Sequence, residues 1–311
     1  MAGMELDFVE WLRQRMPKSS QVRIGIGDDA ALLTLSRPEL VATADLLIDG
    51  VHFLTAEHPP EAIGYKALAV NLSDLAAMAA KPAGALVSLA LPRDGAGGLT
   101  PSELAKRLFD GMLPLAEEFG SPIVGGDTNV HAGPLVVSVT ALGEPTGRGV
   151  VRRDGARPGD VLLVTGELGG SLAGKHLGFT PRVTEALTLH QTVELQAMMD
   201  LSDGLSLDLA RLCKASGVGA VVEAAAVPIS AAASALAMTT GDLPLKHALS
   251  DGEDFELLLS VSPDDADRLL SDTPPGCRLI AIGKVVASEG VTLRQPDGTM
   301  EPLLTSGYEH R

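Results

Sequence analysis

Residues 62–80 read AIGYKALAVNLSDLAAMAA. His58-Pro59-Pro60-Glu61 precedes them and places prolines where a helix can begin, so the stretch is expected to be helical from Ala62 to Ala80. Its surface is apolar almost all round, which is the pattern of a helix buried inside a domain. The longest apolar run, 67–80, is shorter than the ~18 residues that suit a membrane span and carries Asn71, Ser73 and Asp74, so no span is expected. Asn71 and Asp74 are three apart and share a helix face. An ionised carboxylate in such surroundings is costly until an arginine, a metal ion or a proton neutralises it.

Working outward, the elements mix without a strict βαβ alternation. Towards the N-terminus there is an amphipathic first helix (MAGMELDFVEWLRQRM), then a hairpin of strands 21–26 and 30–35 turning at Gly27-Asp28-Asp29, then a strand 40–47 ending at Asp49-Gly50. Towards the C-terminus come a strand 85–91 and a helix from the capping signal Thr100-Pro101-Ser102-Glu103 to about Phe119. A short strand 121–124, broken by Gly125-Gly126, and a β-rich run 135–142 follow. The Gly/Pro cluster 143–149 marks a boundary, giving domains 1–147 and 148–311. The second half is expected to hold strands 161–165, near 221, 255–261, 279–285 and 291–293, with helices near 171–177, over 184–199 and from about Leu205. This reads as α+β, with two domains in 311 residues.

Composition narrows the partners. A net charge of −16, from 40 acidic and 24 basic residues, disfavours nucleic acid and anionic membranes. Aromatic residues are only 3% of the chain, which leaves few platforms for stacking bases. Two cysteines, Cys213 and Cys277, make neither a disulfide framework nor a thiolate metal site, and the opening segment lacks an uninterrupted apolar core, so a cytoplasmic protein without a secretory signal is expected.

The acids carry the chemistry. Besides Asp74, Asp127 follows Gly125-Gly126 at a strand end, Asp45 lies within the strand-like VATADLLIDG, and Asp28-Asp29 sit at a turn. Asp200 and Asp203 flank Ser202 in MDLSDGL just before a helix, where one of them serves as N-cap and a phosphate could meet backbone N–H groups. Each has an ordinary alternative: an ion pair for Asp74, turn chemistry for the others. If they converge, their mutual repulsion demands cations, and an oxygen-only set suits Mg²⁺ completed by phosphate oxygens. A glycine-rich segment, Gly169-Gly170-Ser171-Leu172-Ala173-Gly174-Lys175, has the spacing of a Walker loop, but His176 stands where Ser or Thr would hold Mg²⁺, so it is read as a structural turn.

In order along the chain stand GIGDDAA, TADLLIDGVHF, AVNLSDLAAM, GGDT, RRDGARPGD, MDLSDGLSLDL and SDGEDFELL. This series resembles the thiamine-monophosphate kinase family, part of a group with aminoimidazole ribonucleotide synthetase that binds ATP and Mg²⁺ without a Walker loop. The resemblance spans nearly the whole chain and implies the two-domain AIR synthetase-like architecture, a β-rich N-terminal domain with flanking helices and a sandwich-like α/β C-terminal domain. It implies metal ligation by Asp28, Thr43, Ala44, Asp45, Asp74, Asp127, Asp200 and Asp203. It implies ATP contacts at Gly126, Asp127, Arg153 and Ser202, and thiamine monophosphate contacts at His52, Asp251, Glu253 and Tyr308.

The implied reaction passes the γ-phosphoryl group of ATP directly to an already ionised phosphate. No general base is then needed, and the work falls to several Mg²⁺ ions and Arg153. The resemblance further implies a homodimer formed through the N-terminal domain and leaves a role for K⁺ open. Three positions depart from the family pattern: Ala44 stands where threonine is common, Asp251 where glycine is common and Tyr308 where tryptophan is frequent. The rival readings are another enzyme of the same scaffold and a non-catalytic sensor of Mg-nucleotide. Neither cysteine lies near the N-terminal glycine loop that a selenophosphate synthetase would need, and the chain ends YEHR without a cysteine-bearing tail.

Overall fold

The computed structural model describes residues 2–16, 19–26, 30–304 and 306–307, so Asp28 and Tyr308 lie outside the described residues. The chain forms two compact units, residues 1–75 with 80–145 and residues 76–79 with 146–311.

In the first unit the order is α1 (Ala2–Arg15), β1 (Val22–Ile24), β2 (Leu32–Leu33), β3 (Val41–Ile48), α2 (Pro60–Ala77), β4 (Lys81–Pro92), α3 (Pro101–Glu118), β5 (Ile123–His131) and β6 (Val136–Glu144). Strands β1 and β2 form the expected antiparallel hairpin, and the other four make a sheet in the order β3-β6-β4-β5, parallel only between β4 and β5. The capping box is present: Thr100 accepts from the Glu103 N–H while Glu103 accepts from the Thr100 N–H at 2.9 Å. Helices α2 and α3 touch backbone to backbone. A Cβ on Gly64 would lie 1.9 Å from the Leu108 carbonyl oxygen, and one on Gly111 the same 1.9 Å from that of Glu61. Around this crossing Leu68, Leu72, Leu104, Leu108 and Met112 are fully buried.

The second unit runs β7 (Val161–Val164), α4 (Val183–Thr192), β8 (Leu195–Asp200), α5 (Leu205–Ser216), β9 (Gly219–Glu223), α6 (Ala231–Thr240), α7 (Pro244–Ser250), β10 (Leu257–Val261), α8 (Pro263–Ser271), β11 (Ile280–Val286), β12 (Gly290–Arg294) and β13 (Met300–Pro302). Its seven-stranded mixed sheet has the order β13-β12-β9-β11-β7-β10-β8, with β12 and β9 parallel. Helix α5 packs against β8, β9 and β12, and its Leu205, Leu209 and Leu212 join Val164, Met199 and Leu258 in one apolar core. The α+β class holds. Among the described residues no helix is long and apolar enough to cross a membrane.

Three expectations fail locally. The helix drawn over 184–199 stops at Thr192, and Leu195–Asp200 is strand β8. Leu, Gln and Met are good helix formers, but here pairing with Leu257–Val261 of β10 outweighs propensity. The helix near 171–177 is two 3₁₀ turns, Ser171–Ala173 and Lys175–Leu177, separated by Gly174 at φ 136°. Strand β5 is not broken at Gly125-Gly126 but passes through both residues to His131.

Candidate active site

In the first unit, β3 places Thr43 and Asp45 on the sheet face that α2 reaches. The Thr43 hydroxyl donates to Oδ2 of Asp74 at 2.5 Å. Burial, and then the charge of Asp74, push the Asp45 carboxyl up to about 6. A carboxyl whose ionisation its acidic neighbour disfavours, with a hydroxyl between strand and helix, forms an oxygen-only set open to a hard cation. Ala44, between them, faces the other way and is exposed.

Asp127 belongs to that other face. Register puts Asp127 beside Ser88, Ser88 beside Ser138 and Ser138 beside Leu46, one row across the sheet that is exposed except at half-buried Ser138, whereas Asp45 pairs with buried Val139. Its carboxylate accepts from the Thr128 N–H and from Asn129 Nδ2, both at 2.8 Å. Gly126 has φ 150°, and a Cβ there would lie 1.7 Å from the Val87 carbonyl oxygen, so only glycine lets β5 approach β4 this closely. Beside these residues a cavity of about 760 Å³ is lined by Leu12, Leu86, Phe109, Val124, Gly126 and Asp127, among others. Among the described residues, no three or more His, Cys, Asp or Glu side chains stand together as a metal cluster.

His52 lies in the turn after β3. Its Nδ1 accepts from the Ile48 N–H at 3.1 Å, so the proton of the neutral ring sits on Nε2. Lys66, only 1% exposed, donates to the His52 carbonyl oxygen at 2.8 Å and pins that turn to α2. Sequence reasoning missed Lys66, although its place among Ala and Leu in an otherwise apolar helix was a signal.

In the second unit Asp200 ends β8 and is buried, with Ser202 and Asp203 in the link to α5. Neither acid caps the helix as expected: the N-cap is Gly204 and makes no side-chain cap bond. Asp208, fully buried one turn into α5, accepts from the Asp203 N–H at 2.9 Å, and Arg211 donates to Asp203 and, at 2.9 Å, to Asp208. Burial pushes Asp208 up to about 6. The i, i+3 spacing of Asp208 and Arg211, one helical turn apart, was the signal that went unused. Arg153 is exposed, with its carbonyl oxygen held by the Ser216 hydroxyl at 3.0 Å.

The glycine-rich loop 166–170 is settled by its neighbours. The Gly169 N–H donates to both oxygens of Asp254 at 2.9 and 3.0 Å, and the Gly170 N–H to Asp251 at 2.8 Å. The chain's own carboxylates fill these anion-binding amides. Lys175 is likewise committed, to Glu256 at 2.8 Å, so no Walker-type cradle exists here. Asp251 also contacts His247 Nδ1 at 2.9 Å, and Glu253 lies 3.2 Å from His176 Nδ1.

Residues 27–144 match the family model of the AIR synthase related protein N-terminal domain, and residues 157–295 that of the C-terminal domain. A thiamine-monophosphate kinase of Rhodopirellula baltica is 43% identical over 99% of this chain and 97% of its own length. The crystal structure of thiamine-monophosphate kinase from Stenotrophomonas maltophilia K279a has a TM-score of 0.77 at 36% identity, covering 95% of this chain and 96% of that one. A structure of AaThiL complexed with AMPPCP and TMP has a TM-score of 0.76 at 30% identity, over 99% and 96% of the two chains.

Proposed function

The chain belongs to the thiamine-monophosphate kinase family of AIR synthase related proteins, and from that premise we propose that it transfers the γ-phosphoryl group of ATP to thiamine monophosphate, giving thiamine diphosphate and ADP. The observation that carries this reading is a relative of the same fold and length that holds AMPPCP, an ATP analogue, together with TMP. Two substrates held at once support direct in-line transfer without a phospho-enzyme. The acceptor phosphate is ionised near neutral pH, so the barrier is the meeting of two anions, on a chain whose own net charge is −16.

The residues fit Mg²⁺. The raised carboxyl of Asp45 beside Asp74 and Thr43 is hard-oxygen chemistry in need of positive charge. Thr43, Asp45, Asp74 and the Ala44 carbonyl oxygen would hold one ion in the first unit; Asp127, on the other face of the sheet, and Asp28 would serve a further ion, and Asp200 and Asp203 would serve in the second unit. Bound there, Mg²⁺ would supply neutralisation of phosphate charge. We assign Gly126, Asp127, Arg153 and Ser202 to ATP. The apolar cavity beside Gly126 is within the size range of small-molecule pockets. His52, through its Nε2–H, and Glu253 are assigned to thiamine monophosphate, together with Tyr308. Asp251, whose carboxylate is taken by Gly170 and His247, would act from behind Glu253.

The remaining assignments are an N-terminal domain over 1–147, a C-terminal domain over 148–311, a cytoplasmic location and a homodimer through the N-terminal domain. Leu46, 52% exposed in the open row that includes Ser138 and Ser88, supports the last; a monomer mass in light scattering at micromolar concentration would count against it. The activity is tested by incubating the protein with ATP and thiamine monophosphate, with and without Mg²⁺. Thiamine diphosphate formed only with Mg²⁺ is expected. Absence of product despite Mg-ATP binding would move the reading to another phosphate acceptor on this scaffold.

A further inference from the structure

Residues 251–256, Asp-Gly-Glu-Asp-Phe-Glu, have no regular secondary structure between α7 and β10. Their backbone is held in the left-handed region at Gly252 (φ 74°), Glu253 (φ 52°) and Phe255 (φ 50°). That conformation is unfavourable for Glu and Phe and persists only where neighbours impose it. The neighbours are identifiable. The Glu253 N–H donates to the Ser202 carbonyl oxygen at 2.7 Å, the Phe255 N–H to that of Leu201 at 2.8 Å, and the Leu201 N–H returns to that of Glu256 at 2.8 Å. The Ser171 hydroxyl donates to the Glu253 carbonyl oxygen at 2.6 Å, and the Phe255 ring stacks on Phe179 with centroids 4.1 Å apart.

Asp254 sits between the two strained residues. It is 1% exposed, whereas the Glu253 side chain keeps 20% of its surface in contact with solvent. Both Asp254 oxygens accept from one N–H, that of Gly169. A buried carboxylate facing one amide, with Lys175 contributing at longer range, is a costly anchor if packing alone were the purpose. Burial pushes this carboxyl up to about 7, against the pull of Lys175 and of the Gly169 N–H. A charge kept at such a cost points to a demand for exact placement of what lies beside it.

We propose that Asp254 is a positioning residue for the phosphoryl acceptor: anchored on the Gly169 amide, it holds Glu253 in its left-handed conformation and fixes it to the Leu201–Asp203 segment. The proposal rests on the assignment of Glu253 to thiamine monophosphate. It makes the acceptor side and the Ser202–Asp203 segment one piece of backbone, so that a change at Asp254 is felt by a substrate that Asp254 does not touch.

The test is steady-state kinetics on the full chain with each substrate varied, for Asp254→Asn and Ser171→Ala, alongside thermal unfolding and amide exchange at Glu253 and Phe255. Asp254→Asn keeps one acceptor oxygen for Gly169 and removes the charge. It is expected to raise KM for thiamine monophosphate about tenfold, the worth of one hydrogen bond to a charged group. KM for ATP should change far less, Tm should hold or rise, and exchange at Glu253 and Phe255 should quicken. Ser171→Ala, which frees the Glu253 carbonyl oxygen from the other side, is expected to shift KM in the same direction by less. Wild-type KM and exchange in Asp254→Asn would overturn the proposal, as would a fall in Tm with both KM values rising together, which marks a merely structural residue. If the wild-type protein made no thiamine diphosphate the kinase reading would fall, while exchange at Glu253 and Phe255 would still decide whether Asp254 holds the loop.

Discussion

The Thr43 hydroxyl and Oδ2 of Asp74 lie 2.5 Å apart and join strand β3 to helix α2 through a carboxylate that also raises its neighbour Asp45. If the pair holds Mg²⁺, cation binding to the folded state alone stabilises it, by about 2.7 kcal/mol at a hundredfold excess over Kd. Wild-type Tm should therefore rise with Mg²⁺. Asp74→Asn should lose most of that rise, be no less stable than wild type without Mg²⁺, and lose on the order of a hundredfold in kcat/KM. A full Mg²⁺-dependent rise in the variant would remove Asp74 from the ligand set.

Gly126→Ala probes the close approach of β5 to β4. An added Cβ 1.7 Å from the Val87 carbonyl oxygen cannot be accommodated without moving an edge strand. The expected cost is about 1–3 kcal/mol, as for other overpacked sites, and is read as a lower urea midpoint at unchanged m. ATP binding should weaken in step, since Asp127 is the next residue. An unchanged midpoint would mean that the strand gives way freely and that glycine there serves something other than packing.

Local features were legible in the sequence and non-local ones were not. The capping box at Thr100 and the start of α2 are written in neighbouring residues, and so is the missing hydroxyl at His176 that separated the glycine-rich turn from a Walker loop. Strand β8 was hidden because Leu, Gln and Met favour a helix until β10 pairs with them. Glycines 125 and 126 read as a break because composition cannot show that Leu86 and Val87 of β4 pair with them. The candidate ligands Asp45 and Asp74 were each visible as acids among apolar residues, but that Asp127 faces the other side of the sheet follows only from register. Asp208 and Asp254, which hold other residues in place, look in sequence like ordinary loop and helix acids.

Arg182→Gln tests the buried ion pair in the second unit. Glu256 is 2% exposed and accepts from Arg182 through both oxygens, at 2.8 and 2.9 Å, and from Lys175 and Thr165 at 2.8 Å. Burial works against its ionisation, but Arg182 and Lys175 outweigh it and hold the carboxyl below its ordinary value. Such a group contributes stability above its unfolded pKa, lost as pH falls through the folded one. Removing Arg182 leaves a buried charge with weaker compensation, so a loss of about 3–5 kcal/mol at neutral pH is expected, shrinking in acid as Glu256 protonates. A loss independent of pH would assign the effect to packing of the guanidinium.

Asp254 should behave in the opposite sense. Its carboxyl is raised to about 7 by burial, with Glu256 and Asp251 adding to the rise and Lys175 and the Gly169 N–H opposing it. In the unfolded chain it ionises near the ordinary 3.8. Its contribution to stability is therefore fully present below that value and is lost as pH climbs to about 7, by an amount of order 4 kcal/mol at most. Asp254→Asn cannot ionise and escapes that loss. Compared with wild type, the variant should gain in Tm from pH 5 to pH 7.5 and then run parallel above it. A Tm difference that stays flat across this range would show that the carboxylate is not destabilised by its burial, and the cost argument for its positioning role would fail with it.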